Sequence, residues 1–252
     1  MASPPTEHRF ASFDGQAIAW REIGSGRPVV LLHGLFSHAE MNWLRFGTAQ
    51  AVVDGGFRVI MPDFRGHGLS AAPHDAAAYP VDVLAQDIEA LVAHLGLTDF
   101  DLGGYSLGAR TTVRLLVRGM RPRRAVLAGM GLQGIVGSNQ RSVFFLNAIA
   151  TRDTAARGTP EWLAAQFMKT TGTDPDAVAH VLRAQAQTAE ADLAAIGVPT
   201  LVVCGADDQD NGSAPELAGA LPEASYVEIP GNHMSAVTRA ELAAAIRDFL
   251  AA

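Results

Sequence analysis

Asp101-Leu102-Gly103-Gly104-Tyr105-Ser106-Leu107-Gly108-Ala109-Arg110 is the stretch whose reading decides the fold. It reads as the end of a strand, a sharp turn at Ser106 and the start of a helix. Gly104 and Gly108 stand two places before and two places after the serine. A residue at so tight a turn takes strained backbone angles, and β-carbons on close neighbours would collide. Glycine at both places removes the collision. The Ser106 hydroxyl is then held out into a cleft at a helix N-terminus, where backbone N–H groups and the helix dipole favour developing negative charge.

Working outward, Leu84, Ile88, Leu91, Val92 and Leu95 fall on one helical face, and Gly96 suits its C-terminal stop. The spacing places a strand over residues 99–103. Val113, Leu116, Val117 and Met120 form a second stripe after the serine, and 124–128 is the next strand. Toward the N-terminus, 57–61 and 28–32 are short apolar runs of the kind expected of strands buried on both faces. The first ends in Pro62-Asp63-Phe64-Arg65-Gly66-His67-Gly68-Leu69-Ser70, the second in His33-Gly34-Leu35-Phe36. Residues 41–53 between them can form one helix, closed by Gly55-Gly56. Residues 9–23 read as an antiparallel hairpin at a sheet edge, turning at Asp14-Gly15. Toward the C-terminus, 199–204 resumes the sheet and ends in Gly205-Ala206-Asp207-Asp208-Gln209-Asp210. A short helix follows over 214–221. The last strand, 225–229, runs into Pro230-Gly231-Asn232-His233-Met234. A final helix carries Leu242, Ile246, Phe249 and Leu250, with Thr238 and Glu241 spaced for a capping box.

Buried strands alternating with amphipathic helices imply an α/β fold: a mostly parallel twisted sheet of about eight strands, covered by helices on both faces. The alternation breaks over 132–192, which is helical in pattern. This segment is expected to form a helical lid inserted after the sixth strand, leaving 1–131 and 193–252 as the core. In such a sheet the site lies at the carboxyl ends of the strands. Leu35, Ser106, the Asp207–Asp210 cluster and His233 all follow strands, so they are expected along one edge despite their separation in sequence.

The chain has 252 residues, 48% of them apolar and 18% charged, with a formal net charge of −7. That fits one large domain or a domain with an insertion, and argues against gross disorder or an extended nucleic-acid surface. The cluster Arg118, Arg121, Arg123 and Arg124 follows a helix end, where cations favour the dipole. Cys204 is the single cysteine, so no intrachain disulfide forms, and its apolar strand makes it a buried, inert thiol. No basic start leads into an apolar run, and no uncharged apolar stretch is long enough to span a bilayer. A cytoplasmic protein with no membrane partner is expected. No dinucleotide or phosphate-binding glycine motif occurs, and a calcium loop around Asp208 fails on the places of Gly212 and Gly219. Neither cofactor nor metal is expected, and oligomeric state is not legible.

Together, His33-Gly34, the run 62–70, Gly104-Tyr105-Ser106-Leu107-Gly108, Gly205-Ala206-Asp207-Asp208 and Gly231-Asn232-His233 resemble the α/β-hydrolase superfamily over nearly the whole chain, in that family's order. The resemblance implies a catalytic triad of Ser106, Asp208 and His233. The acid position usually lies three places after the strand-ending glycine, which is Asp208; Asp207 and Asp210 remain alternatives. It implies an oxyanion hole from the N–H groups of Leu35 and Leu107. Relatives that act on halides or epoxides carry aspartate where Ser106 stands. The expected activity is hydrolysis of small to medium carboxylic esters, with a small-molecule ester or related acyl compound as the partner. The alternatives are carbon–carbon hydrolysis, lactone opening or elimination on a carboxylated substrate with the same triad, and a non-catalytic ligand receptor. Candidate substrate contacts are Phe36, Tyr105, Arg110, Phe144, Phe145, Trp162 and Met234. Arg110 reads either as a carboxylate-binding residue or as a helix residue pointing away. His33 is expected to be buried and hydrogen-bonded behind its loop. Asp63, Arg65 and His67 are expected to satisfy one another and the backbone.

Overall fold

The apolar runs become the middle of one sheet. The computed structural model describes residues 4–137 and 140–252. Its strands are β1 (Thr6–Ala11), β2 (Ala17–Gly24), β3 (Arg27–Leu32), β4 (Phe57–Pro62), β5 (Asp101–Tyr105), β6 (Ala125–Ala128), β7 (Thr200–Gly205) and β8 (Ala224–Ile229). They lie in the order β1-β2-β4-β3-β5-β6-β7-β8 in a sheet of 8 strands. The β1–β2 hairpin is antiparallel and occupies one edge, and β2 also pairs antiparallel with β4. From β4 to β8 every pairing is parallel, with Leu32 opposite Gly104, Tyr105 opposite Ala128 and Ala128 opposite Val203. The ends of these strands therefore open onto one edge. β5 runs two residues later than its pattern suggests, so it leads directly into Ser106.

Alternate side chains of each strand enter opposite cores, as a period of two requires. The helices flanking the sheet are α1 (Thr48–Asp54), α2 (Val83–His94) and α3 (Leu107–Val117). Val29, Leu31, Val126, Ala128, Leu201 and Val203 face a core that includes Ala49 and Val52 of α1. Val30 and Leu32 face α2 and α3, while Leu127 and Val202 pack under α3. Full burial of a Val or Leu contributes about 1.5–3 kcal/mol, so the sheet centre is the main source of stability. The expected helix over 41–53 is interrupted. A π-helical turn spans Glu40–Leu44, and Gly47, in a left-handed conformation, separates it from α1.

Between β6 and β7 lie α4 (Leu132–Val136), α5 (Gln140–Ala150), α6 (Pro160–Thr171), α7 (Pro175–Arg183) and α8 (Glu190–Leu193). Asp174 caps α7 through its carboxylate, with Pro175 in the first turn. α5, α6 and α7 build a small core of their own from Ile149, Ala165, Met168, Val178 and Leu182, and Phe36 from the loop after β3 inserts into it. The chain ends with α9 (Ala214–Gly219), α10 (His233–Ala236) and α11 (Ala240–Ala251). α9 joins α3 on its face of the sheet, and α11 joins α1 on the other. The capping box expected at Thr238 and Glu241 does not form: the Thr238 hydroxyl donates to the Ser235 carbonyl of the preceding turn, and Arg239 takes the N-cap position. Among the described residues no helix is long and apolar enough to cross a membrane.

Candidate active site

Ser106 sits between β5 and α3 at φ 54° and ψ −112°, a strained conformation for a residue with a β-carbon. Its glycine neighbours are there for contact. A β-carbon on Gly104 would strike the backbone of Gly108, and one on Gly108 would strike the Leu32 carbonyl. The turn thus packs α3 hard against β3 and β5. The Ser106 N–H is tied to the Ala128 carbonyl at 2.8 Å.

His233 opens α10 at the end of β8. Asn232 caps this turn, its side chain accepting from the Met234 and Ser235 amides at 3.1 and 3.0 Å, while the Ser235 hydroxyl accepts from the Asn232 amide at 2.9 Å. The loops after β7 and β8 are pressed together. A β-carbon on Gly205 would collide with the Gly231 carbonyl, and the Asp207 amide donates to that same carbonyl at 3.1 Å. This contact carries Asp208 to His233.

The three side chains meet. His233 Nε2 lies 3.0 Å from Ser106 Oγ, and His233 Nδ1 lies 2.8 Å from Asp208 Oδ2. Asp208 is 6% exposed, so it has no solvent to stabilise its charge in place of partners. Burial opposes its ionisation, but the hydrogen bond and charge of His233, with the Asp210 amide, hold the carboxyl below its ordinary range. The Asp210 N–H reaches Oδ1 at 3.1 Å and the Cys204 thiol reaches Oδ2 at 3.5 Å. Cys204 is buried as expected, and burial beside Asp208 pushes its thiol up to about 12, so it faces the carboxylate as a protonated donor.

The histidine thereby selects among the three acidic candidates. Asp207 is exposed, and the Asp210 carboxylate turns to Arg141 at 3.3 Å. One ligand atom each from Asp208, Asp210 and His233 lies within 4.8 Å of the others. All three residues are already hydrogen-bonded or ion-paired, which makes the cluster a relay with a flanking ion pair.

The loop after β3 is fixed from behind. His33, 0% exposed, donates from Nδ1 to the Gly34 carbonyl at 2.7 Å and accepts at Nε2 from the Phe64 amide at 2.9 Å. Burial pulls its pKa down to about 3, so it stays neutral. The Gly34 amide donates to Asn42 Oδ1 at 3.0 Å. Asn42 is a buried positioning group that its sequence context does not reveal, because it sits in a stretch with ordinary helical spacing. Phe36 adopts φ 56°. Among the described residues neither the Leu35 nor the Leu107 amide donates to a protein acceptor. Asp63 accepts from the Ala39 and Leu69 amides at 2.7 and 2.9 Å and His67 meets the Arg65 carbonyl at 3.1 Å, backbone contacts as expected, but Arg65 is gripped between Asp14 and Asp87 rather than by Asp63.

The expected substrate contacts divide. Phe36 is 2% exposed in the core of the inserted helices, edge-on to Phe145 at 5.4 Å; Phe144 lies 5.1 Å from Phe145. Phe36 is therefore an anchor rather than a free pocket wall. Tyr105 is also corrected: its ring is buried in the core on the α1 side and its hydroxyl donates to the His233 carbonyl at 2.6 Å. Arg110 donates to the carbonyls of Gly134 and Ala186 at 2.9 and 3.2 Å, tying α3 to both ends of the inserted segment. Trp162 lies on α6 with the Arg157 guanidinium 6.0 Å from its ring. Met234, next to His233, is 56% exposed.

Residues 29–245 match the model of the alpha/beta hydrolase family. A non-heme haloperoxidase of Rhodococcus erythropolis is 39% identical over 120 residues, covering 46% of this chain and 41% of that protein. The chain spans well under two thirds of the length of this and other curated relatives. A hydrolase structure from Pseudomonas aeruginosa PA01 superposes with a TM-score of 0.80 at 25% identity, covering 98% of this chain and 99% of that one. The esterase RhEst1 from Rhodococcus sp. ECU1013 superposes with a TM-score of 0.73 at 26% identity, covering 98% of each chain.

Proposed function

The chain belongs to the alpha/beta hydrolase family, and from that premise we propose that it hydrolyses carboxylic esters of small to medium acyl groups through an acyl-enzyme on Ser106. The observation that carries the reading is the continuous hydrogen-bonded line from Ser106 through His233 to Asp208. A serine hydroxyl at neutral pH is a poor nucleophile. As Ser106 Oγ bonds to the ester carbonyl carbon, His233 Nε2 takes its proton, and Asp208 stabilises the imidazolium that forms. The free amides of Leu35 and Leu107 are the donors for the oxyanion. Collapse of the tetrahedral species breaks the carbon–oxygen bond, and His233 returns the proton to the departing alkoxide. Water then enters by the same route, releasing the carboxylic acid and restoring Ser106.

The helices between β6 and β7 serve as a lid in this reading, with Phe145 packed edge-on to Phe36 of the loop after β3. Arg110 supports the ester over a carboxylated substrate, because its guanidinium already binds two lid carbonyls. The name of the Rhodococcus esterase agrees with this assignment. The test is turnover of nitrophenyl esters from acetate to longer acyl chains by wild type and Ser106→Ala. A loss of at least about a thousandfold is expected in the variant, as for other serine triads. Equal turnover by both proteins overturns the proposal.

A further inference from the structure

We propose that Arg141 is a positioning residue for this reaction: from the first turn of α5 it fixes Asp210, and through Asp210 it sets the orientation of Asp208. The role rests on the triad reading above. Arg141 Nη1 donates to the Asp210 backbone carbonyl at 2.8 Å, and Nη2 reaches the Asp210 carboxylate at 3.3 Å. One guanidinium thus holds both the main chain and the side chain of Asp210. The direction of the Asp210 N–H is fixed with them, and that N–H donates to Asp208 Oδ1 at 3.1 Å. The opposite oxygen, Oδ2, holds His233. The carboxylate is clamped from both sides, and one clamp is anchored in the inserted helices.

The same side chain reaches toward the other half of the site. Its guanidinium lies 5.2 Å from the Phe145 ring centroid, Phe145 meets Phe36 edge-on at 5.4 Å, and Phe36 directly follows Leu35. α5 therefore links the acid loop after β7 to the oxyanion loop after β3. The Arg141 and Asp210 side chains are 38% and 48% exposed. A pair so exposed contributes little to global stability and is screened by salt. Its consequence lies in the placement of the acid.

Labelling of Ser106 by a fluorophosphonate tests this without knowledge of the natural ester. Oγ bonds to phosphorus as fluoride leaves and His233 takes the proton, so the rate reports the triad and its oxyanion donors, and the Asp208→Asn background below separates the two. Arg141→Ala is expected to slow labelling about tenfold at low salt, the scale of a small misplacement of a catalytic group. Arg141→Lys recovers part of that loss. Sodium chloride slows the wild type toward the Arg141→Ala rate and leaves Arg141→Ala itself unchanged. In an Asp208→Asn background, Arg141→Ala has no further effect. The proposal is overturned if Arg141→Ala labels like wild type, or if it costs the same factor in the Asp208→Asn background, which would make it a general support of the lid. Should Arg141→Ala not fold, the wild-type salt series decides, and a salt-independent rate overturns the role. Absence of any label on wild-type Ser106 removes the triad reading itself and this role with it.

Discussion

At the scale of single residues, the site is set by which partner each polar group finds once buried. Asp207, Asp208 and Asp210 are near-equivalent in sequence. Only Asp208 is buried against an imidazole; burial is the largest single influence and opposes its charge, but the hydrogen bond and charge of that imidazole together with the Asp210 amide outweigh it. Ser106 was legible from its two glycines, because the clash they avoid is local. Tyr105 was not, since its hydroxyl finds the His233 carbonyl 128 residues away, across a contact that exists only when the sheet is assembled. Tyr105→Phe is therefore expected to leave KM for esters within about twofold while lowering unfolding free energy by about 1–2 kcal/mol, the usual effect of leaving a buried carbonyl without its donor. Paired kinetics and urea denaturation check this. A large rise in KM with unchanged stability would return Tyr105 to the substrate pocket.

At the scale of elements, caps and turns decide where the functional groups arrive. Asn232 and Ser235 close the first turn of α10 reciprocally, and this holds His233 at the helix start. Thr238, spaced equally well for a cap, is drawn to the Ser235 carbonyl of that turn and lost to α11. Two adjacent helices competing for one side chain leave no trace in residue spacing. The inserted helices show the same dependence on their neighbours. Arg110, on α3, has no carboxylate partner among the described residues and holds the Gly134 and Ala186 carbonyls. Burial and the nearby Arg114 charge pull its pKa below the ordinary arginine range. Arg110→Ala leaves those carbonyls without their donor, with an expected cost of about 1.5–3 kcal/mol for hydrogen bonds to a charged group. Hydrogen exchange in Arg110→Ala is expected to rise around residues 132–137 and 184–188, with β3 and β5 unchanged. Exchange that rises uniformly, or not at all, would contradict a local tie.

At the scale of the whole molecule, the buried histidines behind the strand ends couple folding to pH. His33 and His67 are 0% and 2% exposed, and burial lowers each to about 3 from an ordinary 6.5. Both are neutral when folded, whereas the unfolded chain takes up protons as pH falls through 6.5. Stability therefore rises with pH between about 3 and 6.5 and is lost on acidification, by up to about 1.4 kcal/mol per pH unit for each histidine. Asp208 acts lower: its contribution is lost only as pH falls through its depressed folded value, beneath the ordinary carboxylate range. Urea midpoints of wild type are expected to fall between pH 7.5 and 5.5, with about half the slope in His67→Gln. A flat wild-type profile over that range would mean that both rings protonate in the native state, and half the expected slope that one of them does.

The sequence alone determined the sheet, because wholly apolar runs separated by amphipathic stretches have one economical arrangement, with both faces covered. It determined the serine, because the glycines on either side answer a clash within five residues. It also determined that Leu35, the Asp207–Asp210 cluster and His233 share an edge with Ser106, since each follows a strand and parallel strands end together. The tertiary structure decided what those patterns leave degenerate. It chose Asp208 over its neighbours by burial and contact with His233, turned Tyr105 and Phe36 from pocket candidates into supports, and gave Arg110 and Arg141 their carbonyl and carboxylate partners in distant loops. The physical reason is common to all of these. Apolar periodicity and backbone strain act over a few residues and leave a mark in sequence, whereas a polar side chain is defined by the partner that folding brings within about 3 Å of it.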